Sequence, residues 1–128
     1  MVPENLRYTE SHEWVRLEGD TCTIGITQFA VDQLGDLTLV ELPKPGKQLK
    51  KEAEFGVVES YKSAEDLYSP VDGEVVESND AVEDDVTILS ESPYGEGWLI
   101  KVKVGEGYSL DHLLTPDQYQ AQIDSEDH

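Results

Sequence analysis

Short apolar runs, each ended by a turn within about ten residues, constrain this chain more than any other feature. Glu13-Trp14-Val15-Arg16-Leu17-Glu18 alternates with period two and predicts a strand. Glu18-Gly19-Asp20 is a turn, so Thr21 to Ile26 predicts the partner strand of a hairpin. Leu37 to Leu42 is a further strand, ended by Pro43 and Pro45-Gly46. Ala53 to Ser60 and Ser63 to Ser69 predict two arms of a hairpin around Lys62, with Pro70, Asp72 and Gly73 closing it. Gly73 to Ser78 predicts another strand. Its Val-Val-Glu-Ser repeats residues 57–60, by chance or because a sheet is built from two similar halves. Asn79 to Asp85 reads as an acidic loop, Val86 to Leu89 as a brief strand, and Pro93 to Gly97 as loop. Trp98 to Val104 is strongly strand-like.

Helix signals are few. Thr27 caps a short helix over Gln28 to Leu34, and Gly35 ends it. Ser109 is a cap for Leu110 to Leu114. Thr115-Pro116-Asp117-Gln118 is a second start, a capping box with Pro at the first helical position. Tyr119 and Ile123 share one face of that helix, and residues 125–128 read as a frayed tail. The sum is a mainly β fold with a small early helix and C-terminal helices, in one domain over residues 1–128.

Charge excludes some partners. The chain carries 28 Asp and Glu against 9 Lys and Arg, a net −19. Phosphate surfaces attract Lys and Arg, so nucleic acid and anionic membranes are excluded as partners. A monomer, steered toward basic patches on other proteins, is expected. One exception is the loop holding Lys44, Lys47, Lys50 and Lys51, either a contact for an acidic partner or a solvated loop. Cys22 stands alone, so it forms no internal disulfide, and its strand-like setting makes it a small buried hydrophobe. No run is long and apolar enough to span a membrane, and no targeting segment is visible. A cytoplasmic protein is therefore expected, with a processed organellar form as the alternative.

No enzyme constellation is present. His12, His112 and His128 are scattered and match no zinc spacing with Cys22. There is no Gly-x-Gly-x-x-Gly, no phosphate-cradling loop and no Gly-x-Ser-x-Gly elbow. A non-catalytic protein without metal is the expectation. Lys62 differs from the other cations. It is the only Lys or Arg between Lys51 and Lys101, in a stretch with fourteen Asp and Glu. A lone amine at a turn between two strands is an address for a modifying enzyme. Acylation would remove its charge and lengthen its stem into an arm on a rigid platform, and the tether would raise the arm's local concentration at each partner. By local chemistry alone, the alternative is an exposed turn lysine with no role.

Beyond these readings, an ordered set of runs resembles the H proteins of the glycine cleavage system. The runs are Arg7-Tyr8-Thr9, Ser11-His12-Glu13-Trp14-Val15, Gly25-Ile26-Thr27, Gln33-Leu34-Gly35-Asp36 and Val40-Glu41-Leu42-Pro43. They continue with Gly56-Val57-Val58-Glu59-Ser60, Lys62, Asp66-Leu67-Tyr68-Ser69-Pro70-Val71, Gly73-Glu74-Val75 and Ser92-Pro93-Tyr94-Gly95-Glu96-Gly97-Trp98-Leu99. The resemblance implies a hybrid barrel-sandwich like other lipoyl and biotinyl domains, with lipoate carried covalently on Lys62. It implies that Glu59, Ser60, Glu65 and Asp66 frame the lysine for a lipoate ligase or lipoyl transferase. It further implies three partner enzymes. Glycine decarboxylase loads an aminomethyl group on the arm, aminomethyltransferase passes the one-carbon unit on, and dihydrolipoamide dehydrogenase reoxidises the dithiol. Ser11, Glu13, Gln33 and Asp66 are implied to line a cleft that shelters the loaded arm, where a carboxylate can pair with the aminomethyl cation.

Three departures stand out. Tyr61 replaces a small aliphatic, Ser63 replaces a common Ala, and Val86-Thr87-Ile88-Leu89-Ser90 replaces a run that usually has a Pro and an Asn. Those at Tyr61 and at residues 86–90 leave open an H-like lipoyl carrier serving a lipoyl relay or another redox partner. A biotin carrier lacks support because Met-Lys-Met is absent. A scaffold without cofactor is opposed by the intact Lys62 frame.

Overall fold

The computed structural model describes residues 2–126; Asp127 and His128 of the expected tail lie outside the described residues. The strands are β1 Arg7–Tyr8, β2 Glu13–Glu18, β3 Thr21–Ile26, β4 Leu37–Glu41, β5 Gln48–Leu49, β6 Glu54–Ser60, β7 Ala64–Tyr68, β8 Gly73–Ser78 and β9 Ile100–Lys103. The helices are α1 Gln28–Leu34, α2 Asp80–Asp84, α3 Thr87–Glu91 and α4 Pro116–Glu126. A six-stranded sheet runs in the order β1-β2-β3-β9-β8-β5, and a three-stranded sheet in the order β4-β6-β7. All pairings are antiparallel. The two open sheets share one core, the mainly β barrel-sandwich expected from the sequence. Val15, Ile24 and Val102 of the larger sheet meet Val40, Val58 and Leu67 of the smaller one in it.

The outer face of β1–β2 carries a second cluster. Tyr8 and Trp14 are opposite each other in register, and both are fully buried. Tyr119 of α4 stacks on Tyr8, with ring centroids 4.5 Å apart. Ile123, one turn on, joins the same cluster. Fully burying one such large side chain contributes about 2–3 kcal/mol, which fastens α4 to the sheet. Gly25 lies opposite Trp14, and a Cβ there would meet the indole at 2.6 Å. The ring therefore requires glycine at that position.

The predicted caps are formed. Thr27 Oγ1 accepts the Ala30 N–H at 3.3 Å. Gly35 closes α1 with φ +80, the left-handed region that glycine enters at little cost. Thr115 Oγ1 accepts the Gln118 N–H while Gln118 Oε1 accepts the Thr115 N–H, which completes the capping box. Cys22 is fully buried, and burial pushes its thiol up to about 11, so it is inert at neutral pH.

Other expectations are corrected. Residues 80–84 form α2 rather than a loop, because Val82 turns into the core while Asp80 and Glu83 suit the positive end of the helix. Residues 87–91 form α3 rather than a strand. The Asp85 carboxylate accepts both the Thr87 N–H and its Oγ1–H, which starts a helix, and Leu89 is buried beneath it. Leu110 to Leu114 is not helical. Ser109 Oγ does accept the Asp111 N–H, but Leu114 exchanges two backbone hydrogen bonds with Tyr8, and this holds it extended. Ser125 and Glu126 belong to α4 rather than to a frayed tail. The Val-Val-Glu-Ser copies lie in different sheets and out of phase. Val58, the second valine, is buried in β6, whereas Val75, the first, is buried in β8.

Candidate functional site

Lys62 sits at the tip of the β6–β7 hairpin. The arms pair Val57 with Asp66, Val58 with Glu65 and Glu59 with Ala64, leaving Ser60-Tyr61-Lys62-Ser63 as the turn. Ser60 shapes it: its N–H donates to the Ser63 carbonyl at 2.8 Å. Its hydroxyl oxygen accepts the N–H groups of Ser63 at 3.2 Å and Lys62 at 3.4 Å. The Tyr61 N–H donates to the Asp36 carbonyl at 3.3 Å, tying the tip to the turn after α1. The Lys62 stem leans toward Gly35, where an added Cβ would lie 3.8 Å from Lys62 Cε. Lys62 is exposed and, among the described residues, forms no ion pair. Tyr61 beside it is 84% exposed.

A cleft of about 360 Å³ opens beside this turn. Its apolar floor comes from Ile26, Ala30, Leu34, Val58 and Leu67. Its polar lining includes Ser11, Glu13, Gln33 and Asp66, all four of the expected cleft residues, together with Ser63 and Glu65. Of the residues expected to frame Lys62, Ser60 forms the turn itself. Glu65 and Asp66 stand on β7 toward the cleft. Glu59 pairs with Leu39 and Ala64 in the sheet and does not line the cleft.

Glu13 is the most constrained of these groups, with only 1% of its surface exposed. Its Oε1 accepts the hydroxyls of Thr9 and Ser11, each at 2.5 Å, and its Oε2 accepts the Tyr68 N–H at 3.3 Å. Burial raises its carboxyl above the usual carboxylate range, and the hydrogen bonds only partly offset this. The site thus keeps a desolvated, oriented acceptor facing a partly apolar cavity.

Sequence reasoning gave His12 no place in the cleft. It lines the cleft and has φ +75, a strained backbone for a side chain of its size. Its Nδ1 lies 2.8 Å from the Tyr119 hydroxyl, which lies 2.6 Å from Thr27 Oγ1. The Thr27 N–H donates to the His12 carbonyl. Helices α1 and α4 together therefore fix the loop that presents Ser11 and Glu13. The only sequence signal was His12's place between those two residues. A second cleft, of about 510 Å³, adjoins the first through Glu10, Ser11, Glu13 and Tyr68 and extends to Lys51, Glu52 and His112. Among the described residues no cluster of His, Cys, Asp and Glu could hold a metal ion, and no helix is long and apolar enough to cross a membrane.

A family model described as glycine cleavage H-protein matches residues 6–126. The chain belongs to that family. The match includes the Lys62 hairpin and every residue of the cleft. A glycine cleavage system H protein of Alcanivorax borkumensis is 52% identical over 125 residues, covering 98% of each chain. A probable glycine cleavage system H protein of Haloarcula marismortui is 50% identical over 123 residues, covering 96% of this chain and 97% of its own. The crystal structure of a glycine cleavage system H protein from Mycobacterium marinum superposes with a TM-score of 0.86 at 37% identity, covering 96% and 99% of the two chains. The H-protein family thus accounts for the fold and for the ordered motifs.

Proposed function

We propose that this chain is a lipoyl carrier of glycine cleavage and not itself a catalyst, with lipoate joined by an amide to Lys62 Nζ. The observation that carries this reading is the placement of an unpaired, exposed lysine at a rigid hairpin tip directly beside the cleft. The residues present suit such a group. The amine is accessible to a lipoate ligase or lipoyl transferase, and the apolar floor suits a hydrocarbon chain. When bound, lipoate supplies a disulfide that can accept an aminomethyl group and electrons and yield them to the next enzyme.

The protein's own residues do the rest. The Ser60 hydroxyl and the Tyr61–Asp36 bond hold the tip in one geometry, so the ligase meets a fixed target. Glu13, oriented by Thr9 and Ser11 and almost fully buried, offers a negative charge to a cationic cargo, and a partly desolvated charge interacts more strongly than one in water. Asp66 and Gln33 add polar groups at the exposed rim. The partners are then glycine decarboxylase, aminomethyltransferase and dihydrolipoamide dehydrogenase.

The test is glycine-dependent NADH formation by those three enzymes with the lipoylated protein, beside Lys62→Arg carried through the same lipoylation. Turnover with the wild type alone is the expected result. A lipoylated wild type that supports no turnover would refute glycine cleavage and favour the relay role that Tyr61 left open.

A further inference from the structure

A group of lysines has no part in the site described above. Lys44, Lys47, Lys50 and Lys51 are four of the nine Lys and Arg residues, within eight positions of one another. All four are exposed. Among the described residues, ion pairs involve His12, Arg16, Lys101 and Lys103, and none involves these four. Two of the neighbouring acids are engaged elsewhere. Asp72 accepts the Lys51 backbone N–H at 2.8 Å, and Glu74 accepts the Gln48 side-chain amide at 3.1 Å.

The platform beneath the lysines is fixed. Leu49 is buried and β5 pairs with β8 at the edge of the larger sheet. The Gly46 N–H donates to the Val75 carbonyl, the Val75 N–H to the Lys47 carbonyl and the Glu52 N–H to the Ser69 carbonyl. Glu52 is held at φ +74, a conformation that a glutamate adopts only under constraint. Lys51 and Glu52 also line the second cleft, which reaches Glu13 through residues shared with the arm cleft. The ammonium groups therefore stand on an ordered edge that is continuous with the site.

We propose that this lysine edge is a docking surface for an acidic face of a protein that acts on the Lys62 arm. The proposal rests on the carrier reading and adds to it the face by which a partner approaches. Free ammonium groups need not give up an existing ion pair when a partner arrives, so the net gain on docking is larger than for paired ones. The remaining surface, with its large negative excess, repels an acidic partner, so attraction is confined to this edge and orients the encounter. A nucleic acid or an anionic membrane presents a broad negative field and meets the whole net charge at once. A protein can present a patch of matching size.

The test uses lipoylated wild type and the quadruple variant Lys44→Glu, Lys47→Glu, Lys50→Glu, Lys51→Glu, with the four Lys→Gln changes as a milder set should reversal disturb the edge. KM for the carrier is measured with each of the three partner enzymes at low salt and at about 0.5 M salt. The expected result is a KM about tenfold higher for at least one enzyme at low salt, with kcat unchanged, a smaller rise for the Gln set, and convergence with wild type at high salt. KM values within about twofold for all three enzymes would overturn the proposal. So would self-association of the variants at unchanged KM, which would make the lysines guards of an exposed strand edge. Binding of wild type to phosphatidylglycerol vesicles at unchanged KM would overturn it as well. Failure of the wild type to accept lipoate at all would instead refute the carrier reading.

Discussion

Lys62 stands beside the cleft that Glu13 lines, and the two are held in opposite ways. Lys62 is exposed, forms no ion pair among the described residues, and depends on a four-residue turn for its position. Glu13 is 1% exposed and is gripped by two hydroxyls from the loop before β2 and a backbone N–H from β7. The contrast fits the roles proposed for the two groups. An amine that another enzyme modifies has to be reachable, so the fold leaves it in water. A charge that acts on cargo has to be aimed and partly desolvated beforehand, so the fold encloses it. The first arrangement costs little stability to alter, and the second costs much.

That contrast can be broken by mutation. Glu13→Ala leaves the Thr9 and Ser11 hydroxyls and the Tyr68 N–H without their acceptor and is expected to cost about 1–3 kcal/mol in urea unfolding. Lys62→Ala, by comparison, is expected to fall within about 0.5 kcal/mol of wild type. Equal losses at the two positions would end the distinction.

Glu13→Gln sharpens the comparison through pH. Burial raises the folded-state value of Glu13 above its ordinary 4.5, so the folded chain holds that proton more tightly than the unfolded one. The linked stabilisation is complete below 4.5 and is lost as pH rises through the folded value. The stability of wild type relative to Glu13→Gln should therefore fall as pH rises above 4.5, as read by thermal unfolding at matched ionic strength. A relative stability of wild type that rises over that window would contradict the burial argument. The smallest effect is expected at the tip. Tyr61→Ala, at a side chain 84% exposed, should change stability by less than about 0.5 kcal/mol. A larger loss by the same unfolding assay would mean that the tip is packed rather than presented.

The two regions also differ in how far the sequence disclosed them. The Lys62 turn was legible because its signals are local: two strand-like arms, Ser60 and Ser63 at the bend, and one cation in an acidic stretch. The same holds for the Thr27 and Gly35 caps and the Thr115 to Gln118 box, where partners lie three or four residues apart. The Glu13 pocket joins β2, β7 and the loop before β2, with Tyr68 lying 55 positions away. Only the family resemblance pointed to Ser11, Glu13, Gln33 and Asp66 as cleft residues, and it gave no role to His12 or Tyr119. Helices α2 and α3 were misread because each is five residues long and has one buried residue, Val82 or Leu89, too few for a period to appear. Strands β1 and β5, two residues each, exist only through their neighbours Val15, Trp14, Gly73 and Glu74.

The central claim is that Lys62 carries the arm. Intact-protein mass after incubation with lipoate ligase, lipoate and ATP tests it most directly, with Lys62→Arg treated alongside. One lipoyl increment on the wild type and none on the variant is the predicted result. An increment on both proteins, or none on a folded wild type, would contradict it.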